Sequence, residues 1–196
     1  PRTRAAMIDS SAASAPPEHV VLVDEHDREI GRAEKLEAHR TGRLHRAFSV
    51  FVFNDVGELL LQRRAAGKYH SGGLWSNTCC GHPRPDTTVR AEAERRLREE
   101  MGLECELEAR FVFQYRSEVG PELIEHELDH VLTGHTAVAP RLNPAEADAY
   151  RWAAPRELLV AIAAEARLYT AWFPLALRRL LAEPELAERL AAERRR

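Results

Sequence analysis

Six stretches of the chain have the spacing or the composition of β-strands, with apolar side chains at alternate positions or many β-branched and aromatic residues. These predicted strands are residues 19–23, 44–53, 58–64, 104–115, 123–132 and 150–153. A turn at residues 54–57 separates the second strand from the third. We therefore expect those two strands to pair as a hairpin.

One segment instead has the four-residue period of a helix. Its apolar stripe consists of Val89, Ala93, Leu97 and Met101. Asp86 follows two prolines and is the expected N-cap, and Gly102 is the expected residue just beyond the last turn. The pattern predicts a helix between these two residues, with charged side chains on its other faces.

The last third of the chain changes to a helical composition of Ala, Leu, Glu and Arg. Pro155 precedes a predicted helix at residues 156–166, and residues 171–174 separate it from further helix that starts at residue 175. This order of elements predicts an α/β fold, an α+β sandwich in which helices flank a mixed β-sheet and extra helices lie at the C-terminus.

Length and composition predict a single domain with two short extensions. A chain of 196 residues can bury one sizeable core. Residues 1–18 are rich in Ala, Ser and Pro, so we expect them to be disordered. We place the domain at residues 19–182 and a helical, Arg-rich tail at residues 183–196.

Charge and cysteine content narrow the classes of function. With 28 basic and 31 acidic side chains the net charge is −3, which gives no argument for binding nucleic acid or an acidic membrane. No run approaches the roughly 18 apolar residues of a membrane span. Three cysteines, two of them adjacent, make a poor disulfide framework. We expect a monomeric, cytoplasmic protein that acts on a small molecule.

A thiol and an imidazole lie close together in the loop before the predicted helix. Cys80 and His82 flank Gly81, and an acidic helix end follows at Glu99 and Glu100. A lone cysteine is most often a small buried hydrophobic residue, and a charged helix face is most often a solvated surface. The density of reactive groups in this stretch instead favours a functional site.

The strand at residues 123–132 carries acidic residues at alternate positions. A period of two places Glu125, Glu127 and Asp129 on one face, where like charges repel unless a cation neutralises them. The alternative is an edge strand whose carboxylates point into water. The histidines elsewhere in the chain favour a metal site.

Basic residues cluster at the end of the strand at residues 58–64. Arg63, Arg64 and Lys68 precede a loop that leads to the cysteine-containing stretch. Bases in such a position commonly face water. Guanidinium groups also match the oxygens of a diphosphate, because each presents two parallel N–H donors.

Residues 81–103 resemble the Nudix box, G-x5-E-x7-R-E-U-x-E-E-x-G-U, where U is a bulky apolar residue. The positions in register are Gly81, Arg95, Leu97, Glu99, Glu100, Gly102 and Leu103. Two acidic positions of the box depart, since Thr87 and Arg96 stand in place of glutamates. The resemblance implies a Nudix fold, and the two missing carboxylates favour a reaction other than hydrolysis.

A narrower resemblance covers residues 20–180. In order, the segments that carry it are KLEAH at 35–39, LHRAFS at 44–49, WSNTCCGHP at 75–83, EHE at 125–127 and TAWF at 170–173. The most specific part is the Asn-x-x-Cys-Gly-His-Pro run. By these motifs the chain is similar to the type I isopentenyl diphosphate isomerases of isoprenoid biosynthesis, which have a Nudix fold and do not hydrolyse their substrate.

The resemblance implies two ion sites and a diphosphate pocket. One divalent metal, Mn²⁺, Mg²⁺ or Zn²⁺, would be held by His39, His45, His82, Glu125 and Glu127. A second ion, Mg²⁺, would bridge Glu100 and the diphosphate of the substrate. The bases implied to bind that diphosphate are Lys35, Arg64, Lys68 and Arg96.

The resemblance also implies a reaction, the reversible conversion of isopentenyl diphosphate into dimethylallyl diphosphate. This 1,3-allylic proton shift passes through a tertiary carbocation, so it needs an acid and a base on opposite sides of the substrate. Glu127 with Tyr115 would deliver the proton, Cys80 would remove one, and Trp172 would face the cation. The same groups can be argued to act in the reverse order.

Two other functions stay open at this point. A Nudix diphosphate hydrolase would share the fold but needs carboxylates at Thr87 and Arg96. A non-catalytic, metal-dependent module that binds diphosphates would need neither Cys80 nor Trp172. We expect Cys79 and Cys105 to be packing residues, and we assign no role to four other histidines, His70, His126, His130 and His135.

Overall fold

The computed structural model describes residues 18–193, and within this range the chain forms nine strands, five α-helices and one 3-10 turn. The strands are β1 His19–Val23, β2 Glu29–Glu34, β3 His45–Phe53, β4 Leu59–Arg64, β5 Trp75–Ser76, β6 Cys79–Gly81, β7 Glu108–Gly120, β8 Leu123–His135 and β9 Ala147–Ala153. The helices are α1 Lys35–Thr41, α2 Val89–Met101, α3 Pro155–Ala164, α4 Phe173–Leu180 and α5 Pro184–Glu193, with the 3-10 turn at Ala166–Leu168.

The strands form one mixed sheet around β3. Along its whole length β3 runs parallel to β8, and on its other side it pairs with β6 and, by one residue pair, with β1. On its other side β8 pairs antiparallel with β7. The acidic strand, β8, therefore lies inside the sheet and not at its edge. A mixed sheet flanked by helices confirms the predicted α/β class.

The prediction that β3 and β4 pair as a hairpin is wrong, because only their first residue pair, Phe53 with Leu59, forms. β4 instead pairs along its length with β9. Thr78 lies between the two strands, where its hydroxyl accepts the Val52 N–H at 2.9 Å and donates to the Leu60 carbonyl at 2.7 Å. This side chain satisfies backbone groups on both strands, so they can separate without leaving buried polar groups unpaired.

Each face of the sheet buries its own apolar cluster, because alternate residues of β3 point to opposite sides. On one face Phe48, Val50 and Val52 pack against α2. On the other face Phe51 and Phe53 pack against the C-terminal helices. This second cluster also includes Tyr115 and Trp172, so the predicted reactive residues lie on the face that the C-terminal helices cover.

Helix α2 confirms the predicted apolar stripe but not its N-cap. Thr88 caps the helix, because its hydroxyl accepts the Ala91 N–H at 3.2 Å. Asp86 was expected there, but its carboxylate binds the Arg32 guanidinium at 2.7 and 3.0 Å. At the other end Gly102 has the left-handed φ of 62°, and a Cβ there would lie 2.8 Å from Arg141 atoms, so glycine is required.

The C-terminal helices extend the core. α5 buries Leu186 and Leu190 in the same cluster as α4, beyond the boundary that we placed after residue 182. Residues 1–17, where we predicted disorder, and the last three arginines lie outside the described residues. Among residues 18–193, no helix combines the length and the apolar character that crossing a membrane requires.

Candidate active site

The register of three strands places reactive side chains in one row. His45 of β3 is the parallel neighbour of Glu127 on β8, and Glu127 is the antiparallel neighbour of Tyr115 on β7. Glu125 and Asp129 lie on the same face of β8 and are also buried. The period of two predicted from the sequence therefore holds, and the carboxylates point into the protein and not into water.

All five residues predicted to hold a metal come together. His39 is on α1, His45 on β3, His82 just after β6, and Glu125 and Glu127 are on β8, yet one ligand atom from each lies within 4.8 Å of all the others. Imidazole nitrogens and carboxylate oxygens are ligands that divalent cations accept in five- or six-coordinate sites. This group can hold a metal ion.

Hydrogen bonds turn two of the imidazoles toward the centre of the group. The Nδ1–H of His39 donates to the Lys35 carbonyl at 2.6 Å, and that of His45 donates to the Arg43 carbonyl at 2.8 Å. The Nε2 atom of each ring then faces a carboxylate, at 3.2 Å from Glu125 Oε2 for His39 and 3.7 Å from Glu127 Oε1 for His45. Histidines that bind a metal are commonly oriented in this way, with the other ring nitrogen donating to a backbone carbonyl.

The pKa shifts of two residues of the group, His82 and Glu125, also agree with metal binding. Burial lowers the pKa of His82 to about 3, so its imidazole is neutral, the form that binds a metal. Burial opposes the charge of Glu125, but the neighbouring imidazoles of His39 and His70 outweigh it and lower the pKa of this carboxyl. For Asp129, in contrast, burial and the charge of Glu127 raise the pKa, and its Oδ2 accepts a hydrogen bond from Ser49.

A cavity of about 150 Å³ opens beside this group. The predicted site residues in its wall are Lys35, Arg64, Lys68, Cys80, His82, Arg96, Glu100, Tyr115, Glu125, Glu127 and Trp172. His39 and His45 are fully buried behind the wall. Most of the residues singled out in the sequence therefore share one small, partly enclosed space.

Within the cavity, a thiol and a hydrogen-bonded carboxylate are the groups suited to proton transfer. Burial raises the pKa of Cys80 to about 12, so its thiol is protonated, and Arg64 Nη1 lies 3.8 Å from the sulfur. The Tyr115 hydroxyl donates to Glu127 Oε2 at 2.6 Å. Burial also raises the pKa of Tyr115, which keeps it a donor.

Trp172 is held in the wall by an amide that we did not single out from the sequence. Its Nε1–H donates to Asn77 Oδ1 at 3.1 Å, and the Asn77 amide donates to the carbonyls of Val50 and Cys79. The Arg64 guanidinium lies 5.5 Å from the centre of the indole ring. Asn77 therefore connects the sheet to the indole and orients its face.

Each of three predicted diphosphate-binding bases already has an acidic partner. Lys35 pairs with Glu18 at 2.9 Å, Lys68 pairs with Glu146, and Arg96 pairs with Glu100 at 2.7 Å and with Glu146 at 3.0 Å. Sequence reasoning missed Glu18 and Glu146. Both come from segments without a recognised motif, and only the folded chain brings them to the bases.

Glu100 lies in the wall of the cavity. It is outside the group of five ligands, and it accepts hydrogen bonds from Gln62 at 3.0 Å and from Arg96. The other acids of α2 are also paired. Glu92 accepts from Arg84 and Arg95, and Glu99 accepts from Arg95 and Arg96. These ion pairs neutralise the acidic side of the helix.

His70 is a further residue of the site, although we assigned it no role. It is buried in the loop between β4 and β5, and its Nε2 lies 2.9 Å from Glu125 Oε1. The other three histidines without a role lie outside the cavity wall. Cys79 is buried in the core beside α2, and Cys105 packs at the edge of the same core, as expected of packing residues.

Comparisons with known proteins find similar sequences and a similar fold. Residues 43–173 match the family model of the NUDIX domain. The chain is 53% identical to isopentenyl-diphosphate Delta-isomerase 2 of Aromatoleum aromaticum over 84% of its own length and 87% of the relative. It is 49% identical to the isopentenyl-diphosphate Delta-isomerase of Pectobacterium atrosepticum over 82% and 90% of the two chains. Among solved structures, DR0079 of Deinococcus radiodurans superposes with a TM-score of 0.69 at 25% identity, covering 83% of this chain and 98% of that one.

Proposed function

The chain belongs to the NUDIX domain family and, within it, to the isopentenyl-diphosphate Delta-isomerases, and we propose that it interconverts isopentenyl diphosphate and dimethylallyl diphosphate. The observation that carries this proposal is the content of one cavity. Cys80, the Tyr115–Glu127 pair and the indole of Trp172 line the same space as the four bases. A proton shift along a short diphosphate ester needs these groups together.

The bases bind the diphosphate end of the substrate. Lys35, Arg64, Lys68 and Arg96 all line the cavity, and Arg64 and Arg96 can each present a pair of N–H donors to phosphate oxygens. The diphosphate takes over contacts that Glu18 and Glu146 make in the free protein. Glu100 is placed to bind the Mg²⁺ that enters with the substrate, because hard cations prefer carboxylate and phosphate oxygens.

The proton shift uses the thiol and the carboxylate on the two sides of the five-carbon chain. Because burial keeps the Cys80 thiol protonated in the free protein, we take Cys80 as the acid in this direction of the reaction. The S–H of Cys80 delivers a proton to the terminal CH₂ carbon, whose π electrons form the new C–H bond. The carboxylate of Glu127, held by the Tyr115 hydroxyl, then removes a proton from the carbon next to the cation, and those electrons form the new double bond.

The neighbours of these groups stabilise the charges that form. The guanidinium of Arg64, 3.8 Å from the sulfur, stabilises the Cys80 thiolate that proton delivery leaves. The indole of Trp172 presents its π face to the tertiary carbocation, a contact worth about 2 kcal/mol when it is desolvated. In the reverse direction the same groups exchange roles.

We propose that the five-ligand group holds one divalent cation, Mn²⁺, Mg²⁺ or Zn²⁺. The Nε2 atoms of His39 and His45, which face the group, and the buried carboxylates support this assignment. When bound, the cation would fix Glu127 in place and lower its proton affinity. We also propose that the protein is a cytoplasmic monomer whose product supplies isoprenoid synthesis, and light scattering after size exclusion tests the assembly state.

Proton NMR in D₂O tests the reaction directly. Isopentenyl diphosphate, Mg²⁺ and the purified protein should give dimethylallyl diphosphate with deuterium in its methyl groups, because the carbon that receives a proton becomes a methyl. The Cys80→Ala variant under the same conditions is the control and should give at least about 10²-fold less product in the same time. Release of phosphate without any allylic product would contradict the proposal and favour a hydrolase.

A further inference from the structure

We propose that His70 is a positioning residue for the metal site, which sets the metal affinity by holding one carboxylate oxygen of Glu125 while the other faces the cation. The inference rests on the proposed function, since it concerns the same five ligands. It assigns a role to a side chain that the sequence motifs leave aside.

The two oxygens of Glu125 have different partners. Oε1 lies 2.9 Å from Nε2 of His70, and Oε2 lies 3.2 Å from Nε2 of His39 and points into the five-ligand group. Among the described residues, Oε2 makes no hydrogen bond of good geometry. A carboxylate with one oxygen held and the other free toward neighbouring ligand atoms is oriented for metal binding.

Glu125 and Ser71 fit the same tautomer of His70. The Glu125 carboxylate can only accept, so Nε2 of His70, 2.9 Å from Oε1, carries a proton. The Ser71 hydroxyl lies 3.1 Å from Nδ1, where it can donate to an unprotonated nitrogen and so support this tautomer. That Nε2–H then donates to Glu125 Oε1. His70 therefore offers a proton to the carboxylate and no lone pair to the cation, and it acts behind the ligand and not as a sixth ligand.

Packing fixes the ring of His70 in this position. The residue is buried, and its ring lies edge-on to two aromatic rings. The ring centroids are 4.4 Å apart for Tyr69 and 6.1 Å apart for Trp172. An Nη2–H of Arg64 also reaches its carbonyl at 3.4 Å. A ring with these neighbours has little rotational freedom, so the carboxylate that it holds is preorganised.

The backbone of the loop is closed around the same position. The N–H of Arg64 donates to the Leu74 carbonyl and the N–H of Gly73 donates to the Arg64 carbonyl, both at 2.9 Å. Gly72 has no room for a side chain, because a Cβ would lie 2.6 Å from the Ala66 carbonyl oxygen. The loop that brings Lys68 to the diphosphate therefore also delivers a rigid hydrogen-bond donor to the metal ligand.

Metal affinity measured without turnover tests the proposal. The metal-free protein is titrated with Mn²⁺ against a chromophoric chelator, and the dissociation constant is compared among variants. His70→Leu should weaken binding by about 10- to 100-fold, the usual loss when the partner of a metal ligand is removed. His70→Gln should recover most of the affinity, because its amide N–H can donate to Glu125.

A matched control and a milder variant complete the design. His126 lies between Glu125 and Glu127 in the chain, but its imidazole is on the other face of β8, where it makes hydrogen bonds with Gly42 and Gln114. His126→Leu removes this imidazole and should leave the Mn²⁺ affinity unchanged. Ser71→Ala should weaken binding less than His70→Leu, since it removes only the group that supports the tautomer. This variant keeps the test decisive if His70→Leu does not fold.

Some results would overturn the proposal. His70→Leu and Ser71→Ala with wild-type Mn²⁺ affinity would do so, as would a lower melting temperature of the metal-free His70→Leu protein without a change in affinity. No Mn²⁺ binding by the wild type would overturn it together with the proposed metal site. If the wild-type protein does not isomerise its substrate, the proposed reaction is wrong. A loss of Mn²⁺ affinity in His70→Leu would still support the role of His70 in that case.

Discussion

Cys80 owes its reactivity to its place in the sheet. On β6 it is the antiparallel neighbour of Ser49 on β3, and this pairing brings its sulfur into the cavity wall close to Arg64. A buried thiol with a raised pKa carries its proton in the free protein. The guanidinium then stabilises the thiolate. Both features fit a residue that exchanges one proton with the substrate.

Replacing this thiol should therefore remove turnover and leave binding almost intact. We expect kcat of Cys80→Ala to fall by roughly 10²- to 10⁴-fold, the usual contribution of a positioned acid or base, with little change in KM. Steady-state kinetics with isopentenyl diphosphate measures both constants. Cys105→Ala, which changes a thiol outside the cavity wall, is the matched control, and a Cys80→Ala enzyme with a near wild-type kcat would contradict the assigned role.

At the scale of the elements, the side chain of Thr78 allows β3 and β4 to lie apart. Its hydroxyl joins the Val52 N–H to the Leu60 carbonyl, and all three residues are buried. Thr78→Val keeps the shape and removes both hydrogen bonds, so two buried backbone groups lose their partner. We expect a loss of about 2–4 kcal/mol in the free energy of unfolding, measured by urea denaturation.

Thr87→Val is the control for this change. Its hydroxyl also donates to a backbone carbonyl, that of Arg84, but at an exposed position where water replaces the bond. This variant should stay within about 0.5 kcal/mol of the wild type. Equal losses in the two variants would show that burial of the Thr78 hydrogen bonds is not what matters.

Helix α2 is stabilised by a buried acid between two arginines. Burial opposes the charge of Glu92, but hydrogen bonds from Arg95 and Arg84 outweigh it, and they lower the pKa of the carboxyl below its usual value. A group whose pKa is lowered by folding stabilises the protein above its unfolded pKa of 4.5, and this contribution is lost as the pH falls through the folded value.

Glu92→Gln should therefore lower the stability at pH 7 by about 1–3 kcal/mol, because the two arginines lose a charged partner. The difference from the wild type should shrink as the pH falls below about 4. Urea denaturation between pH 3 and pH 7 measures both effects. Glu94→Gln, in an exposed pair with Arg90, is the control, and a stability difference that grows on acidification would refute the argument.

At the scale of the whole molecule, the five proposed metal ligands come from separate parts of the chain. They belong to α1, β3, the segment after β6, and β8, so the unfolded chain does not hold them together. A cation that binds only the folded state stabilises it by mass action. Without the cation, the carboxylates repel each other inside the protein.

Removal of divalent ions should therefore lower the melting temperature. At a Mn²⁺ concentration of 100 times the dissociation constant, binding contributes about 2.7 kcal/mol. For a domain of this size that corresponds to about 5–10 °C. Differential scanning calorimetry with Mn²⁺ and with a chelator measures the shift. A Glu125→Gln/Glu127→Gln variant should show almost none, and a wild type that melts at one temperature in both buffers would contradict the metal site.

Local periodicity determines a large part of this fold, because the spacing of apolar residues depends only on near neighbours. It predicted six of the nine strands in residues 18–193, the apolar stripe of α2, the glycine at its end, and the common face of Glu125 and Glu127. The motifs named the five residues that the fold gathers into one group and most of the residues that line the cavity. They could do so because each motif keeps its reactive side chains within a few residues.

Contacts between distant segments were decided only by the tertiary structure. Asp86 could cap α2, but Arg32 binds its carboxylate and Thr88 takes the cap. β3 and β4 do not pair as the expected hairpin, because the side chain of Thr78 lies between them and hydrogen-bonds to both strands. In both cases two local solutions have similar energies, and a partner far away in the chain selects one.

Contacts inside the site also depend on segments that are distant in the chain. The row from His45 through Glu127 to Tyr115 depends on the register of a parallel strand pair, which no local pattern specifies. The contact of His70 with Glu125 depends on how a loop closes over the cavity. The sequence determines which reactive groups this protein has, and the packing of the sheet determines which of them meet, because side-chain neighbours across strands are set by register and not by distance along the chain.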